Sequence, residues 1–187
     1  DFVMIDKDGA VKKGSEIDYN GAPGGYAADP TEVVNYVSKH DNQTLWDMIS
    51  YKASQEADLA TRVRMQAVSL ATVMLGQGIA FDQQGSELLR SKSFTRDSYD
   101  SGDWFNRVDY SLQDNNYNVG MPRISDDGSN YEVITRVKEM VATPGEAELK
   151  QMTAFYQELT ELRKSSPLFT LGDGSAVMKR VDFRNTG

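Results

Sequence analysis

The chain has 187 residues, 39% of them apolar, and carries 20 Lys and Arg against 28 Asp and Glu, a formal charge of -8. That length is enough for one domain with a real core, and the acidic balance argues against nucleic acid and for a neutral or cationic partner. The absence of cysteine excludes disulfides and thiolate chemistry, and a mean hydropathy of -0.54 with no apolar run near the ~20 residues of a membrane span reads as a soluble globular chain.

In chain order, residues 1–30 carry turn chemistry. Asp8-Gly9, Asn20-Gly21 and Ala22-Pro23-Gly24-Gly25 predict a long irregular loop with a short hairpin. Asp1-Phe2-Val3-Met4 is neither an initiator nor a signal peptide, so an internal piece of a longer polypeptide is expected. The β-branched run Val33–Ser38 predicts a buried parallel strand, ending in the chain's one histidine, His40, with Asp41 and Asn42 beside it. A short helix over roughly Thr44–Gln55 follows, with Leu45, Met48, Ile49 and Lys52 on one side. The clearest helix is Leu59–Leu75, where Val63, Ala67, Leu70, Ala71 and Met74 recur at helical spacing and Gly76 is placed to cap the end. Gln77–Asp82, short, apolar and glycine-led, predicts a second buried strand. Strand, helix, strand in that order is a βαβ unit, which implies a parallel sheet.

Residues 83–128 are rich in Asp, Asn, Ser, Gly and Tyr with little periodicity, and a stretch that long inside a compact domain is usually functional. Tyr131–Val141 predicts a helix through Val133, Ile134, Val137 and Met140. Thr143-Pro144-Gly145-Glu146 reads as a capping box with proline at the first helical position. It opens a helix that buries Leu149, Met152, Phe155, Leu159 and Leu162 and stops at Ser165-Ser166-Pro167. Ala176–Phe183 alternates weakly and predicts a strand opening a separate β-domain. There is no internal repeat.

His40-Asp41 is open to two readings. The bland one is a helix start, with Asp41 or Asn42 capping the helix near Thr44 and His40 half-buried. The functional one rests on the preceding strand, the single imidazole and the third polar group, Asn42. With one histidine, a cage of several imidazoles cannot be built, so zinc and His-Asp metallophosphohydrolase chemistry are set aside.

Tyr36-Val37-Ser38-Lys39-His40-Asp41-Asn42-Gln43-Thr44-Leu45-Trp46-Asp47 resembles the last conserved motif of the α-amylase clan in the form carried by type I pullulanases, starch-debranching glycoside hydrolases. The later text agrees in order. Gln77–Glu87 resembles their eighth barrel strand and its loop. Ser93–Arg107, with Asp97-Ser98-Tyr99-Asp100, resembles the sugar-contacting segment, and Leu159–Gly172 is similar to the helix closing the barrel. The resemblance implies an α/β fold: part of a (β/α)8 TIM barrel, with Val33–Ser38 and Gln77–Asp82 as its last two strands, leading into the start of a C-terminal β-sandwich. Residues 1–174 would be barrel and 175–187 the next domain. A whole barrel needs ~250 residues, so the segment cannot close one.

The implied activity is hydrolysis of α-1,6-glucosidic branch links in pullulan and related α-glucans with retention, in a bacterial extracellular or cell-surface enzyme. The Asp nucleophile and Glu acid/base would lie on upstream strands, leaving this segment inactive alone. Asp41 would bind ring hydroxyls and stabilise the transition state; His40 would donate to a neighbouring hydroxyl, and Asn42 would support them. Asp97 would lie near the next sugar, with Arg96 orienting it or facing water. Glu87 is expected in a structural hydrogen bond, Trp46 and Trp104 in the core or stacked on sugar. No cofactor is required. The resemblance also implies calcium as a structural ion, with no site assigned: Asp114-Asn115-Asn116 and Asp126-Asp127-Gly128 supply hard oxygens but lack the spacing of a dedicated loop, and ordinary turns are expected there. The alternatives are another activity of the clan (isoamylase, branching enzyme, α-amylase) or a non-catalytic carbohydrate-binding module.

Overall fold

A computed structural model describes residues 3–182. The elements in chain order are strands β1 (Val3–Ile5), β2 (Val11–Lys13), β3 (Asp18–Tyr19), β4 (Ala22–Pro23) and β5 (Val34–Asn35), helices α1 (Leu45–Lys52) and α2 (Leu59–Met74), strand β6 (Ile79–Ala80), then helices α3 (Asp103–Asn106), α4 (Ile124–Asp127), α5 (Tyr131–Met140), α6 (Glu146–Ser165) and α7 (Gly174–Arg180). The fold is mixed α/β. Its strands form three two-stranded pairs, β1-β2, β3-β4 and β5-β6, with no closed barrel among the described residues. The chain groups into two units, one containing residues up to Asn35 with Gly76–Ile79 and the stretch from Ser166, the other Tyr36–Leu75 with Ala80–Ser165.

In the first unit β1 and β2 pair antiparallel, and so do β3 and β4, whose turn puts Asn20 and Gly21 at φ 53° and 85°. The predicted hairpin is therefore two. Asp6 closes the first through Lys12 at 2.7 Å and the Ala10 and Asp8 amides, which hold its carboxyl down at about 2. The expected strand Val33–Ser38 contracts to two residues after a 3-10 turn at Pro30–Glu32. Ile79 donates its amide to the Val33 carbonyl at 2.8 Å. Gly78 is glycine for a steric reason: a Cβ there would lie 2.6 Å from Asn35 Nδ2 and 2.8 Å from Val33 O.

Burial of these strands is a correction to the sequence reading. Val34 and Ile79 are about half exposed, because a single partner strand covers one edge and neither face. The strand expected over Ala176–Phe183 is also corrected, since Gly174–Arg180 is helical. Asp173 caps it by accepting from the Ala176 amide at 2.8 Å, and Lys179 and Arg180 sit at the negative end of the helix dipole. These local signals outweigh a weak alternation; Phe183 lies outside the described residues.

The second unit holds the main core. Leu45, Trp46 and Ile49 of α1, Val63, Leu70 and Met74 of α2, Ile134 and Val137 of α5, and Leu149, Met152 and Leu159 of α6 form one buried cluster. Trp46 is fully buried, which assigns it to packing. Thr44 is the N-cap of α1, accepting from Asp47 N at 3.2 Å, so neither Asp41 nor Asn42 is needed for that task. Arg62 joins α1 to α2 by donating to the carbonyls of Ile49, Ser54 and Ala57, which satisfies a guanidinium that is 2% exposed. Leu75, rather than Gly76, is the C-cap of α2. At α6 the capping exchange sits two residues later than expected, with Glu148 accepting from Gly145 N at 2.8 Å.

Candidate active site

In the second unit the chain leaves β5 at Tyr36 and leaves β6 at Phe81. The Tyr36 and Phe81 rings meet edge to face at 6.4 Å, and Ser38 donates to Gln83 at 2.6 Å. Both pairings advance in the same direction, so the two segments run parallel and their C-terminal ends lie together. His40, Asp41 and Asn42 follow within four residues of Ser38. That is where parallel α/β sheets present chemistry.

The His40 and Asp41 side chains face solvent, with 87% and 60% of their area exposed. Asp41 accepts from Lys39 Nζ at 2.5 Å, and His40 Nε2 lies 3.5 Å from its other oxygen. The Lys39 ammonium is the main cause, with His40 and Lys92 adding to it, that holds the Asp41 carboxyl below the usual carboxylate range. Asn42 sits at φ 61°, a left-handed conformation asparagine tolerates, and turns the chain toward α1. The sequence reading had His40 half-buried in its bland form, and the structure removes that form.

Beneath this exposed turn lies a buried polar layer that the sequence reading did not assign. Asp47, fully buried on α1, accepts from the Ser91 hydroxyl, from Lys92 N at 2.9 Å and from Phe94 N at 3.1 Å. Burial pushes the Asp47 carboxyl up, against the pull of those hydrogen bonds. To aim two amides at one carboxylate the loop adopts positive φ at Ser93 (50°) and Phe94 (68°), and the Phe94 ring is locked between Tyr51 and Tyr117 at 4.9 and 5.5 Å. The same loop carries Lys92, 1% exposed, whose Nζ donates to the His40 carbonyl at 2.9 Å. Burial lowers the Lys92 pKa, and Asp47, Asp41 and Asp97 act in the opposite direction.

Asp97 lies five residues after Lys92 on the same loop, and its side chain is exposed. Its loop is braced: Arg96 N donates to Asp127 at 3.2 Å, and Arg123 pairs with Asp100 and Asp126 at 2.6 and 2.7 Å. The Arg96 side chain is exposed and makes no ion pair with Asp97 among the described residues, which favours the water-facing alternative. Glu87 accepts from Gly85 N at 3.0 Å, a structural bond. Trp104 and Tyr99 are open to solvent, 61% and 84% exposed.

The comparisons with known proteins bear on this arrangement. The family model described as "Alpha-1,6-glucosidases, pullulanase-type, C-terminal" matches residues 112–187. Pullulanase of Klebsiella aerogenes is 92% identical over 187 residues, covering 100% of this chain and 17% of its own length. Pullulanase 1, chloroplastic, of Arabidopsis thaliana is 41% identical over 189 residues, with 100% of this chain and 20% of its own length covered. The crystal structure of PulA from Klebsiella oxytoca superposes with a TM-score of 0.96 at 99% identity, covering 100% of this chain and 18% of that one. This chain belongs to the type I pullulanase family.

The chain spans about a fifth or less of those pullulanases. A Klebsiella pneumoniae pullulanase complexed with maltotriose matches at 92% identity and a TM-score of 0.96, covering 100% of this chain and 18% of that one. Residues 109–128 supply the hard oxygens singled out in the sequence, and most of their carboxylates already have partners. Asp114 is engaged by Arg107 and the Asn116 amide, Asp126 by Arg123, and Asp127 by the Arg96 amide through one oxygen, while Asp127 Oδ1 and Asn116 Oδ1 are buried without a hydrogen-bond partner. No group of three acidic or histidine side chains converges among the described residues. A groove of about 480 Å³ between α2 and α6, lined by Val63, Ala67, Met152 and Phe155, contains none of the predicted site residues. Among the described residues no helix is long and apolar enough to cross a membrane.

Proposed function

We propose that this segment supplies the transition-state carboxylate of a retaining glycoside hydrolase that cleaves α-1,6-glucosidic branch links in pullulan, starch and related α-glucans. In this reading Val33–Ser38 and Gln77–Asp82 belong to the seventh and eighth strands of a (β/α)8 barrel completed by the rest of the same polypeptide. Residues 1–174 are barrel, and 175–187 lead into a C-terminal β-domain. Upstream strands bring the Asp nucleophile and the Glu acid/base, so the segment alone turns over nothing.

The observation that carries the reading is the placement of His40 and Asp41. They stand exposed past the C-terminal ends of two parallel segments, above a backbone fixed from below. Asp41 is kept ionised by Lys39. A fixed anion beside a bound glucose accepts from ring hydroxyls and stabilises developing oxocarbenium charge, with a gain that grows as the site is dried. His40 donates to a neighbouring hydroxyl without shuttling a proton, Asn42 supports the turn, and Asp97 lies toward the next sugar with Arg96 in the solvent beside it. The protein works outside a bacterial cell or on its surface. Any calcium it holds is structural.

The test is turnover of pullulan by the complete polypeptide carrying Asp41→Asn. The expected result is a loss of about 10²–10³-fold in kcat with an unchanged thermal melt. Wild-type turnover by a folded variant would overturn the assignment.

A further inference from the structure

We propose that Lys92 is a positioning residue of this site: its buried ammonium holds the His40 carbonyl and thereby fixes where the His40 imidazole and the Asp41 carboxylate point. The inference rests on the role proposed above for Asp41 and names the part that keeps it in place.

Four observations carry it. Lys92 is 1% exposed, an uncommon place for an ammonium, and its Nζ reaches across 52 residues of sequence to donate to His40 O at 2.9 Å. The accepting carbonyl belongs to the residue immediately before Asp41, in a turn whose side chains are otherwise open to water. The lysine is itself anchored at its root. Its amide and that of Phe94 bind the buried Asp47 carboxylate, and the Ser93 hydroxyl donates to the Gly120 carbonyl at 2.6 Å. Finally, the turn is constrained on its far side by Asn42 in the left-handed region, so the peptide carrying Asp41 is pinned at both ends.

Folding does not require the charge. A methionine of the same reach would fill the volume without the cost of desolvating an ammonium, and the one group it leaves behind, the His40 carbonyl, belongs to a turn whose side chains are open to water. A charge placed where an apolar side chain would pack as well, and directed at the backbone of the proposed site, is accounted for by orientation. A carboxylate displaced by about 1 Å loses on the order of 10²-fold in rate, which sets the scale of the effect.

The experiment compares the complete enzyme with Lys92→Met, Lys92→Gln and Asp41→Asn by thermal melt and by kcat and KM on pullulan. Lys92→Met is expected to melt at or above the wild-type temperature and to lose about ten- to a hundredfold in kcat with KM moved less than about threefold. Lys92→Gln, which keeps a donor for the His40 carbonyl, is expected to lose less kcat than Lys92→Met. Wild-type kcat in Lys92→Met, a loss that tracks the fraction unfolded, or equal losses in the two Lys92 variants would each overturn the proposal. If Asp41→Asn retains wild-type turnover, the parent reading fails; if Asp41→Asn is inactive and Lys92→Met is normal, only the role of Lys92 fails.

Discussion

The exposed turn Lys39–Asn42 and the buried layer Asp47–Lys92–Phe94 differ in almost every physical respect, although one hydrogen bond joins them. In the turn, the His40 and Asp41 side chains meet water over most of their area, and Asp41 is approached by His40 and by Lys39, itself 37% exposed. In the layer, every polar group is inaccessible and spoken for: Asp47 by two amides and a hydroxyl, Lys92 by a carbonyl. In the proposed function the turn supplies groups free to meet a sugar, and the layer supplies the rigidity that a site needs to act on one. Exposed ion pairs contribute little to stability, whereas breaking a buried satisfied network leaves groups stranded. Loss of Asp47, whose partners are all buried, should therefore cost stability, and mutation in the turn should not.

The largest expected effect on structure is Asp47→Ala. It strands the Lys92 and Phe94 amides and the Ser91 hydroxyl, at about 1–3 kcal/mol for each buried group left unmade. Hydrogen exchange by mass spectrometry on the complete polypeptide is expected to show residues 91–94 losing protection by about a hundredfold or more, with α6 little changed. Retained protection there would mean that the loop is held by its aromatic packing instead. A smaller effect is expected from Lys39→Met. Lys39 depresses the Asp41 pKa, so Asp41 keeps its charge to lower pH than an isolated carboxylate. Removing the ammonium raises that pKa, and the acid limb of kcat moves to higher pH, while stability changes by no more than about 0.5 kcal/mol. An acid limb that stays in place would show that another carboxylate governs it.

The same contrast explains what the sequence disclosed. The helices α1, α2 and α6 were legible because amphipathic spacing is a local signal, and Leu45, Leu70 and Leu149 all sit in the core as expected. The strands were placed correctly but over-extended, because ladder formation depends on neighbouring strands and each here has one. Helix α7 was misread, since Asp173 as its cap was a stronger cue than the faint alternation after it. His40 and Asp41 could be found because they are adjacent in sequence at the end of a β-branched run. Lys92 and Asp47 could not. Their meaning comes from a contact 52 residues away in one case and from complete burial in the other, and nothing in Ser91-Lys92-Ser93 marks a lysine as internal. The one available signal was Asp47 itself, a carboxylate among Leu45, Trp46 and Ile49 in a short helix.

The central claim is that Asp41 and His40 act on a bound glucan. The most direct measurement is a crystal structure of the complete polypeptide soaked with maltotriose. The account predicts a glucose ring whose hydroxyl oxygens lie within about 3.2 Å of an Asp41 carboxylate oxygen and of His40 Nε2. Maltotriose bound elsewhere, with both side chains still facing bulk water, would contradict it.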